Sequence, residues 1–272
     1  MKKTESPREN TSSLSGSLLK GFAILEILSN HESPMGVTDI AREMGTTKSG
    51  VHRLLQVMRE AGWIRQNDYG HYECSLKIWE LGQRLAGRID LLRLAGPAMR
   101  QLARQTEETV HLSILDKTEV LYLEKLESPH PVRAFTRVGG RAPAYCVATG
   151  KALLAYADEE TMLECAQNIE TFTDFSISSL EELRRELEEV RQRGYAINLG
   201  QWRGGVRGLA APIRDLHGNA VAAIGVAGPA DRLSKITLRD IAPLVVAAAR
   251  EVSRELGHRD PSGAAPDGRD NR

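Results

Sequence analysis

The chain has 272 residues, of which 41% are hydrophobic and 26% are charged, and its 36 basic and 36 acidic residues balance to a formal net charge of zero. This composition indicates a globular protein rather than a disordered one, and the length is sufficient for two domains. The zero net charge excludes a polybasic protein that coats nucleic acid indiscriminately, but a local basic patch is compatible with it.

The three cysteines, Cys74, Cys146 and Cys165, lie far apart and form no CxxC or Cys/His pattern. Neither a disulfide framework nor a zinc site is therefore indicated. The sequence contains no apolar run of about 18 residues, and its N-terminus lacks a signal-peptide core. We expect a soluble, cytoplasmic protein with reduced thiols, with no metal, no cofactor and no membrane partner.

Residues 1–16 predict a flexible tail, and residues 17–76 predict a first domain that starts with two helices. The first helix has a broad apolar face and ends at a turn near Asn30. The second, short helix starts around Val37, with Thr38 as a plausible cap. Gly45 can adopt the positive φ that stops a helix, and only Gly45, Thr46 and Thr47 separate the second helix from a third. Two helices joined by such a short, glycine-containing turn form a helix-turn-helix unit.

The third predicted helix, residues 47–58, has an apolar side and a polar side. Its apolar residues recur at i, i+3, i+4 and i+7: Val51, Leu54, Leu55 and Met58. Three polar residues project from the opposite side, with His52 on the flank: Ser49, Arg53 and Gln56. An arginine suits guanine and a glutamine suits adenine in the DNA major groove. Thr46 or Thr47 can cap the helix, so that its first N–H groups and Lys48 would meet a phosphate.

A β-hairpin follows directly, with strands predicted at residues 63–66 and 71–74, and such a hairpin behind a helix-turn-helix is a wing. Four residues on or near it could reach phosphates or the minor groove: Arg65, Asn67, Tyr69 and His71. Tyr72 is more typical of cross-strand packing. The predicted DNA-contacting residues are Thr47, Lys48, Ser49, His52, Arg53, Gln56, Arg65 and Tyr69. The basic excess between Ala41 and Arg65 is only three charges, so several copies of the module would have to act together.

Residues 77–108 predict linker helices with a break near residues 87–90, and residues 109–257 predict an α+β domain. Its predicted strands lie at residues 110–115, 119–124, 132–135, 195–199, 207–214 and 220–226, and its helices at residues 146–156, 159–167, 180–193 and 236–256. These elements predict an antiparallel sheet with helices packed on it. Residues 258–272 predict a disordered tail. The mostly apolar linker favours self-association.

Three stretches give the chain a specific resemblance: residues 48–55, residues 139–143 followed by 148–155, and residues 194–196 leading to 208–213. From residue 18 to 257 the chain resembles the IclR family of bacterial transcriptional regulators. The resemblance implies a winged helix-turn-helix that binds double-stranded operator DNA, a linker helix and a GAF-like effector domain that binds a small molecule. It also implies dimers or tetramers that act as repressors or activators, often of catabolic genes.

One stretch departs from the family pattern. Many members place an acidic pair after the strand at residues 194–196, where this chain has Gly200-Gln201 followed by Trp202-Arg203. A cation and an aromatic face favour an anionic or sugar-like effector, such as an organic or sugar acid, although Trp202 equally fits a core or interface position. The loop before the helix at Cys146, together with its first N–H groups, makes a natural carboxylate cradle. The predicted effector-binding residues are Gly140, Ala144, Tyr145, Cys146, Thr149, Gln201, Trp202 and Arg203.

Other interpretations compete with this one. For Cys146, a buried structural thiol is the alternative to ligand contact. Gly150-Lys151 resembles the end of a phosphate loop, but Tyr145 stands where that motif requires glycine, and no HExxH or GxSxG motif is present. Lone histidines (His111, His130 and His217) are mostly structural, so we expect no enzyme. A C-terminal domain that only oligomerises remains the second alternative, since glycine-rich loops favour a pocket without requiring one.

Overall fold

The computed structural model describes the backbone of residues 8–86 and 90–259 and the side chains of residues 16–82 and 91–259. The chain divides into two compact units, residues 1–88 and 89–272. Most of the predicted linker break and of the predicted C-terminal tail lies outside the described residues. None of the described helices is long and apolar enough to cross a membrane.

The first unit is the predicted winged helix-turn-helix. Its elements are α1 (Arg8–Asn30), α2 (Val37–Glu43), α3 (Lys48–Glu60), β1 (Ile64–Gln66), β2 (Tyr72–Cys74) and α4 (Leu76–Ala86). Strands β1 and β2 pair antiparallel and form the wing. Helix α1 begins at Arg8 and not at Ser17, so residues 8–16, which were predicted as tail, are helical in this structure.

Helix α3 is fixed by the burial of Val51 and Leu55, whose side chains are fully enclosed. The core around them comes from α1, α2 and the wing: Ile24, Leu28, Ile40, Ala41, Ile64 and Tyr72. Gly45 has φ +60°, which lets the chain turn sharply between α2 and α3. The predicted side-chain caps do not form. Gly36 is the N-cap of α2, so that Thr38 lies within the helix, and the exposed Thr47 caps α3 without a side-chain hydrogen bond.

The second unit is the predicted α+β domain. Its elements are α5 (Asp90–Thr106), β3 (Thr109–Asp116), β4 (Glu119–Leu126), β5 (Arg141–Pro143), α6 (Ala148–Leu154), α7 (Glu159–Gln167), α8 (Leu180–Arg193), β6 (Ala196–Asn198), β7 (Val206–Arg214), β8 (Ala220–Pro229) and α9 (Lys235–Glu255). Within the described residues they form a six-stranded sheet in the order β5-β4-β3-β8-β7-β6. Every neighbouring pair of strands is antiparallel.

Helices cover both faces of this sheet. Since successive side chains along a strand point to opposite faces, each strand contributes to two cores. On β7, Leu209 and Ala211 pack into one core with α5 and α9. Ala210, between them, points into a second core with α6, α7 and α8. The polar residues His111 and Ser113 occupy positions on β3 that alternate with the buried, apolar Leu112.

Residues 132–135, predicted as a strand, form no strand in the structure. The guanidinium of Arg232 donates from Nη1 to the carbonyl oxygen of Val132 at 2.9 Å. This carbonyl is therefore bonded to a side chain and not to a neighbouring strand. The edge of β4 is paired instead with β5, which lies inside residues 139–143, predicted as a loop. Of the residues that suggested a strand, Val132 and Phe135 are exposed, at 67% and 90%, whereas Ala134 is buried.

The helix predicted from Cys146 also starts later, at Ala148. A 3-10 turn over Ala144–Cys146 precedes it and packs directly against Gly150. A Cβ atom at Gly150 would overlap the carbonyl oxygen and Cα of Ala144.

We therefore expect Gly150→Ala to lower the free energy of unfolding by about 1–3 kcal/mol, as overpacking of a core does. An alanine inside a helix ordinarily adds about 1 kcal/mol over glycine, so the sign itself is informative. Urea denaturation measures the change. Gly204→Ala is the matched control, because its Cβ would meet only a methyl group at 3.9 Å. A Gly150→Ala variant as stable as the parent would contradict the close packing.

Candidate functional site

The outward face of α3 carries five of the predicted DNA-contacting side chains. They border one open depression: Lys48, Ser49, His52, Arg53 and Gln56. Four of them are exposed and Gln56 is half-buried. The structure thus brings together on one face the residue types that can read base edges and contact phosphates.

The side chain of Gln56 is oriented by Arg59, a residue that the sequence indicated only as a basic charge. Arg59 donates from Nη2 to Gln56 Oε1 at 2.9 Å and from Nη1 to Gln66 Oε1 on β1 at 2.8 Å. One guanidinium therefore connects the outward face of α3 to the wing. The i, i+3 spacing of Gln56 and Arg59 on one helix was the available signal.

The wing presents its predicted residues differently. Tyr69 is 86% exposed at the tip. Arg65 pairs with Glu73 across the two strands at 2.9 Å, so its charge is partly compensated. Asn67 Oδ1 accepts hydrogen bonds from the backbone N–H groups of Tyr69 at 3.1 Å and His71 at 3.0 Å. Asn67 therefore shapes the turn that presents Tyr69.

A pocket in the second unit lies between the sheet and the start of α6. The space inside it that a water-sized molecule can reach is about 50 Å³, which exceeds the roughly 10–15 Å³ that one water molecule needs. Its polar and aromatic lining includes His111, Tyr122, Thr136, Thr149, Trp202 and Arg203. These residues come from β3, from β4, from the segment after β4, from α6 and from the loop after β6.

Three of the predicted effector residues line this pocket: Thr149, Trp202 and Arg203. The other five do not: Gly140, Ala144, Tyr145, Cys146 and Gln201. Helix α6 starts only at Ala148, and the 3-10 turn that precedes it lies in the core. Ala144, Tyr145 and Cys146 are buried there. The first N–H groups of this helix therefore belong to residues from Ala148 onward and not to Cys146.

Each of the excluded polar groups has another role. The hydroxyl of Tyr145 accepts a hydrogen bond from the N–H of Glu170 at 2.7 Å. Burial raises the pKa of the Cys146 thiol to about 12, as in the alternative of a structural thiol. Gln201 accepts a hydrogen bond from Lys151 at 2.6 Å, and Gly140 accepts one at its carbonyl from a backbone N–H of β4.

His111 and Tyr122 are pocket residues that the sequence did not single out as ligand contacts. Burial, helped by the charge of Lys125, lowers the pKa of His111 to about 4. Burial also raises the pKa of Tyr122 to about 12. Both rings are therefore uncharged near neutral pH, with centroids 5.0 Å apart, and His111 Nε2 lies 2.6 Å from Thr136 Oγ1. The available signal was the period-two pattern of β3, which places His111 on the face opposite Leu112.

Two features of the pocket suit a polar or anionic ligand. Thr149 is buried, and its Oγ1 has no hydrogen-bond partner among the described residues. Buried hydroxyls are normally paired, so an unpaired one in a pocket is unusual. Arg203 carries the one formal charge among the lining residues described, and its guanidinium lies 4.6 Å from the ring centroid of Trp202.

A winged helix-turn-helix in one unit and a pocket lined by polar and aromatic side chains in the other are typical of one class of protein, the ligand-responsive DNA-binding regulators. The model of the IclR helix-turn-helix domain matches residues 17–68. The model described as "Bacterial transcriptional regulator IclR C-terminal" matches residues 83–254. The chain belongs to the IclR family of bacterial transcriptional regulators.

Individual relatives agree with this assignment. The transcriptional regulator KdgR of Escherichia coli K12 is 34% identical over 247 residues, which cover 90% of this chain and 94% of KdgR. The Thermotoga maritima IclR structure has a TM-score of 0.76 at 27% identity, covering 90% of this chain and all of that one. An IclR homolog from Microbacterium hydrocarbonoxydans, complexed with 4-hydroxybenzoate, has a TM-score of 0.79 at 26% identity, covering 89% of this chain and 99% of that one. The protein is a transcriptional regulator and not an enzyme.

The low pKa of His111 makes the stability of the second unit depend on pH. Between pH 6.5 and 4 the unfolded imidazole binds a proton that the folded one rejects, so stability falls as the pH is lowered through this window. We expect this loss to reach about 3 kcal/mol at most. Urea denaturation of the full chain at several pH values measures it. His111→Gln should remove this part of the slope, and His217→Gln, at an exposed site, should keep it. Equal slopes in both variants would contradict the assignment.

Proposed function

We propose that this regulator contacts its operator through the outward face of α3 and the wing, and that a small organic acid in the pocket of the second unit controls this binding. The single observation that supports the effector site is the buried, unpaired hydroxyl of Thr149 in a pocket that Arg203 and Trp202 also line. Since the operator lies on chromosomal DNA, we infer that the protein acts in the cytoplasm.

On the DNA side, we assign base contacts to Ser49, Arg53 and Gln56 and phosphate contacts to Thr47 and Lys48. His52 flanks the same face, and Arg65 and Tyr69 on the wing would contact the backbone or the minor groove. Because Arg59 holds the carboxamide oxygen of Gln56, the amide is restrained before it meets a base. Such restraint lowers the entropic cost of a specific contact.

We assign residues 17–76 to DNA binding, 77–108 to the linker and 109–257 to effector binding. The exposed apolar side chains on α4, among them Leu76 at 74% and Trp79 at 63%, support self-association as a dimer or tetramer. Two recognition helices would then have to lie about 34–36 Å apart, or a multiple of this, to reach successive major grooves. An effector that alters this spacing would couple to DNA binding by about 1–3 kcal/mol.

On the effector side, the lining favours a carboxylic acid with an apolar or planar body. Arg203 supplies the opposite charge, Trp202 a flat face and Thr149 a hydrogen-bonding hydroxyl. The homolog from Microbacterium hydrocarbonoxydans is complexed with 4-hydroxybenzoate, an acid of this type. A C-terminal unit that only oligomerises is the alternative, and ligand-induced stabilisation separates the two.

The two kinds of DNA contact should respond differently to mutation. Arg53→Ala should cost about 1–3 kcal/mol on the operator and relax the preference at one base pair. Lys48→Ala should weaken binding to all sequences alike and reduce the salt slope by about one. Titrations of operator DNA, found by footprinting upstream of the gene, and of random DNA over a range of salt concentrations measure both. Equal losses on both DNAs for both variants would refute this division of roles.

The pocket is tested by Thr149→Val, which replaces the hydroxyl with a methyl group of similar shape. An unpaired buried hydroxyl costs about 1–3 kcal/mol, so the variant should be as stable as the parent or more so. Acids that stabilise the parent in a thermal-shift panel, with 4-hydroxybenzoate and sugar acids included, should stabilise the variant less.

Thr171→Val, at an exposed position, is the control and should leave both melting temperature and ligand shift unchanged. A panel in which no acid stabilises the parent would argue against this effector class. Full ligand shifts in Thr149→Val would argue against this pocket.

A further inference from the structure

A polar network of three side chains lies beside the pocket and shares its loop, but these side chains do not line the pocket. Lys151 and Gln201 are buried, and the side chain of Glu186 is 28% exposed. Lys151 on α6 is 0% exposed. Its ammonium donates to Glu186 Oε2 on α8 at 2.5 Å and to Gln201 Oε1 at 2.6 Å. Gln201 Nε2 donates in turn to Glu186 Oε1 at 3.4 Å, which closes a triangle of three side chains.

Such a network is costly to bury. An ammonium taken out of water loses several kcal/mol of hydration, which a partner must offset. Burial accordingly lowers the pKa of Lys151, and the carboxylate of Glu186 opposes this effect. Because Gln201 is uncharged, one cation faces one anion and the triangle is neutral. Apolar side chains could fill this space at a lower free-energy cost, so we infer that the network fixes the position of the residues it joins.

That geometry concerns the loop after β6. Asn198 Oδ1 accepts hydrogen bonds from the N–H groups of Gly200 at 3.0 Å and Gln201 at 2.8 Å. Ser176 Oγ donates to the carbonyl oxygen of Gln201 at 2.7 Å. Both backbone groups of Gln201 and its side chain are therefore fixed, and the loop is held rigidly up to this residue.

Beyond Gln201 the chain is less enclosed, with Trp202 half-buried and Arg203 exposed. Both of these side chains line the pocket. On α6, Thr149 and Lys151 are two residues apart, so their side chains point about 160° away from each other around the helix axis. Helix α6 thus presents Thr149 to the pocket and Lys151 to the network on its other side.

We propose that Lys151 and Gln201 are positioning residues for effector recognition: the buried ammonium holds Gln201, and Gln201 holds Trp202 and Arg203 at the pocket. Glu186 neutralises the ammonium and ties both residues to α8. The proposal rests on the effector pocket proposed above. It adds that the shape of the pocket on its Trp202 side is set by residues that do not touch the ligand.

The test uses the full chain labelled with 5-fluorotryptophan and requires no effector. Its three tryptophans give three ¹⁹F resonances, and Trp202→Phe identifies that of Trp202. In Lys151→Met and in Gln201→Ala, we expect the Trp202 resonance to shift and its H₂O/D₂O solvent shift to grow as the ring becomes more exposed. The resonances of Trp63 and Trp79, in the first unit, should stay in place and act as internal controls.

Val190→Ala is the matched control for destabilisation, since Val190 is fully buried on α8 and lies outside the triangle. It should leave the Trp202 resonance unchanged. An unchanged Trp202 resonance in folded Lys151→Met and Gln201→Ala, or an equal change in Val190→Ala, would overturn the proposal. If Lys151→Met does not fold, Gln201→Ala decides alone. Because no ligand is added, failure here is distinct from failure of the thermal-shift test of the pocket.

Discussion

The burial of Val51 and Leu55 on α3 is the constraint on which the DNA-binding unit depends. These side chains anchor the helix in a core built from α1, α2 and the wing. Because an α-helix turns about 100° per residue, burying these positions leaves Ser49, Arg53 and their neighbours on the outer side. The direction of these polar side chains therefore follows from the helix geometry. The apolar stripe behind them sets their direction, and Arg59 then restrains the amide of Gln56.

In the second unit, the regular geometry of a sheet likewise sets the direction of the side chains. Alternation along β3 and β7 sends one set of side chains to the core with α5 and α9 and the other set to the side of α6. On the side of α6 the packing is incomplete, and the pocket lies there between the strands, the start of α6 and the loop after β6. Its rings stay uncharged because burial shifts the pKa of His111 down and that of Tyr122 up. The charge of Arg203 at the edge is therefore not offset by these rings.

The network around Lys151 includes Gln201, which lies in the loop where the chain departs from the family pattern. The resemblance implied an acidic pair within the stretch that Gly200, Gln201, Trp202 and Arg203 occupy in this chain. Here the carboxylate that meets the buried ammonium comes from α8, as Glu186, and Gln201 contributes only a neutral oxygen. A second carboxylate in its place would leave the buried group with a net negative charge, which is costly in a medium of low polarity.

The sequence by itself determined the elements whose signals are local: the helix-turn-helix with its wing, the outward face of α3, and the bounds of α7 and α8, which agree with the prediction at both ends. Hydrophobic periodicity suffices there, because each pattern is complete within one element. Only the tertiary structure decided that residues 132–135 leave the sheet, that the turn before α6 is buried and that His111 and Tyr122 line the pocket with Thr149. These outcomes depend on which distant segments pair and pack, and no window of sequence contains both partners.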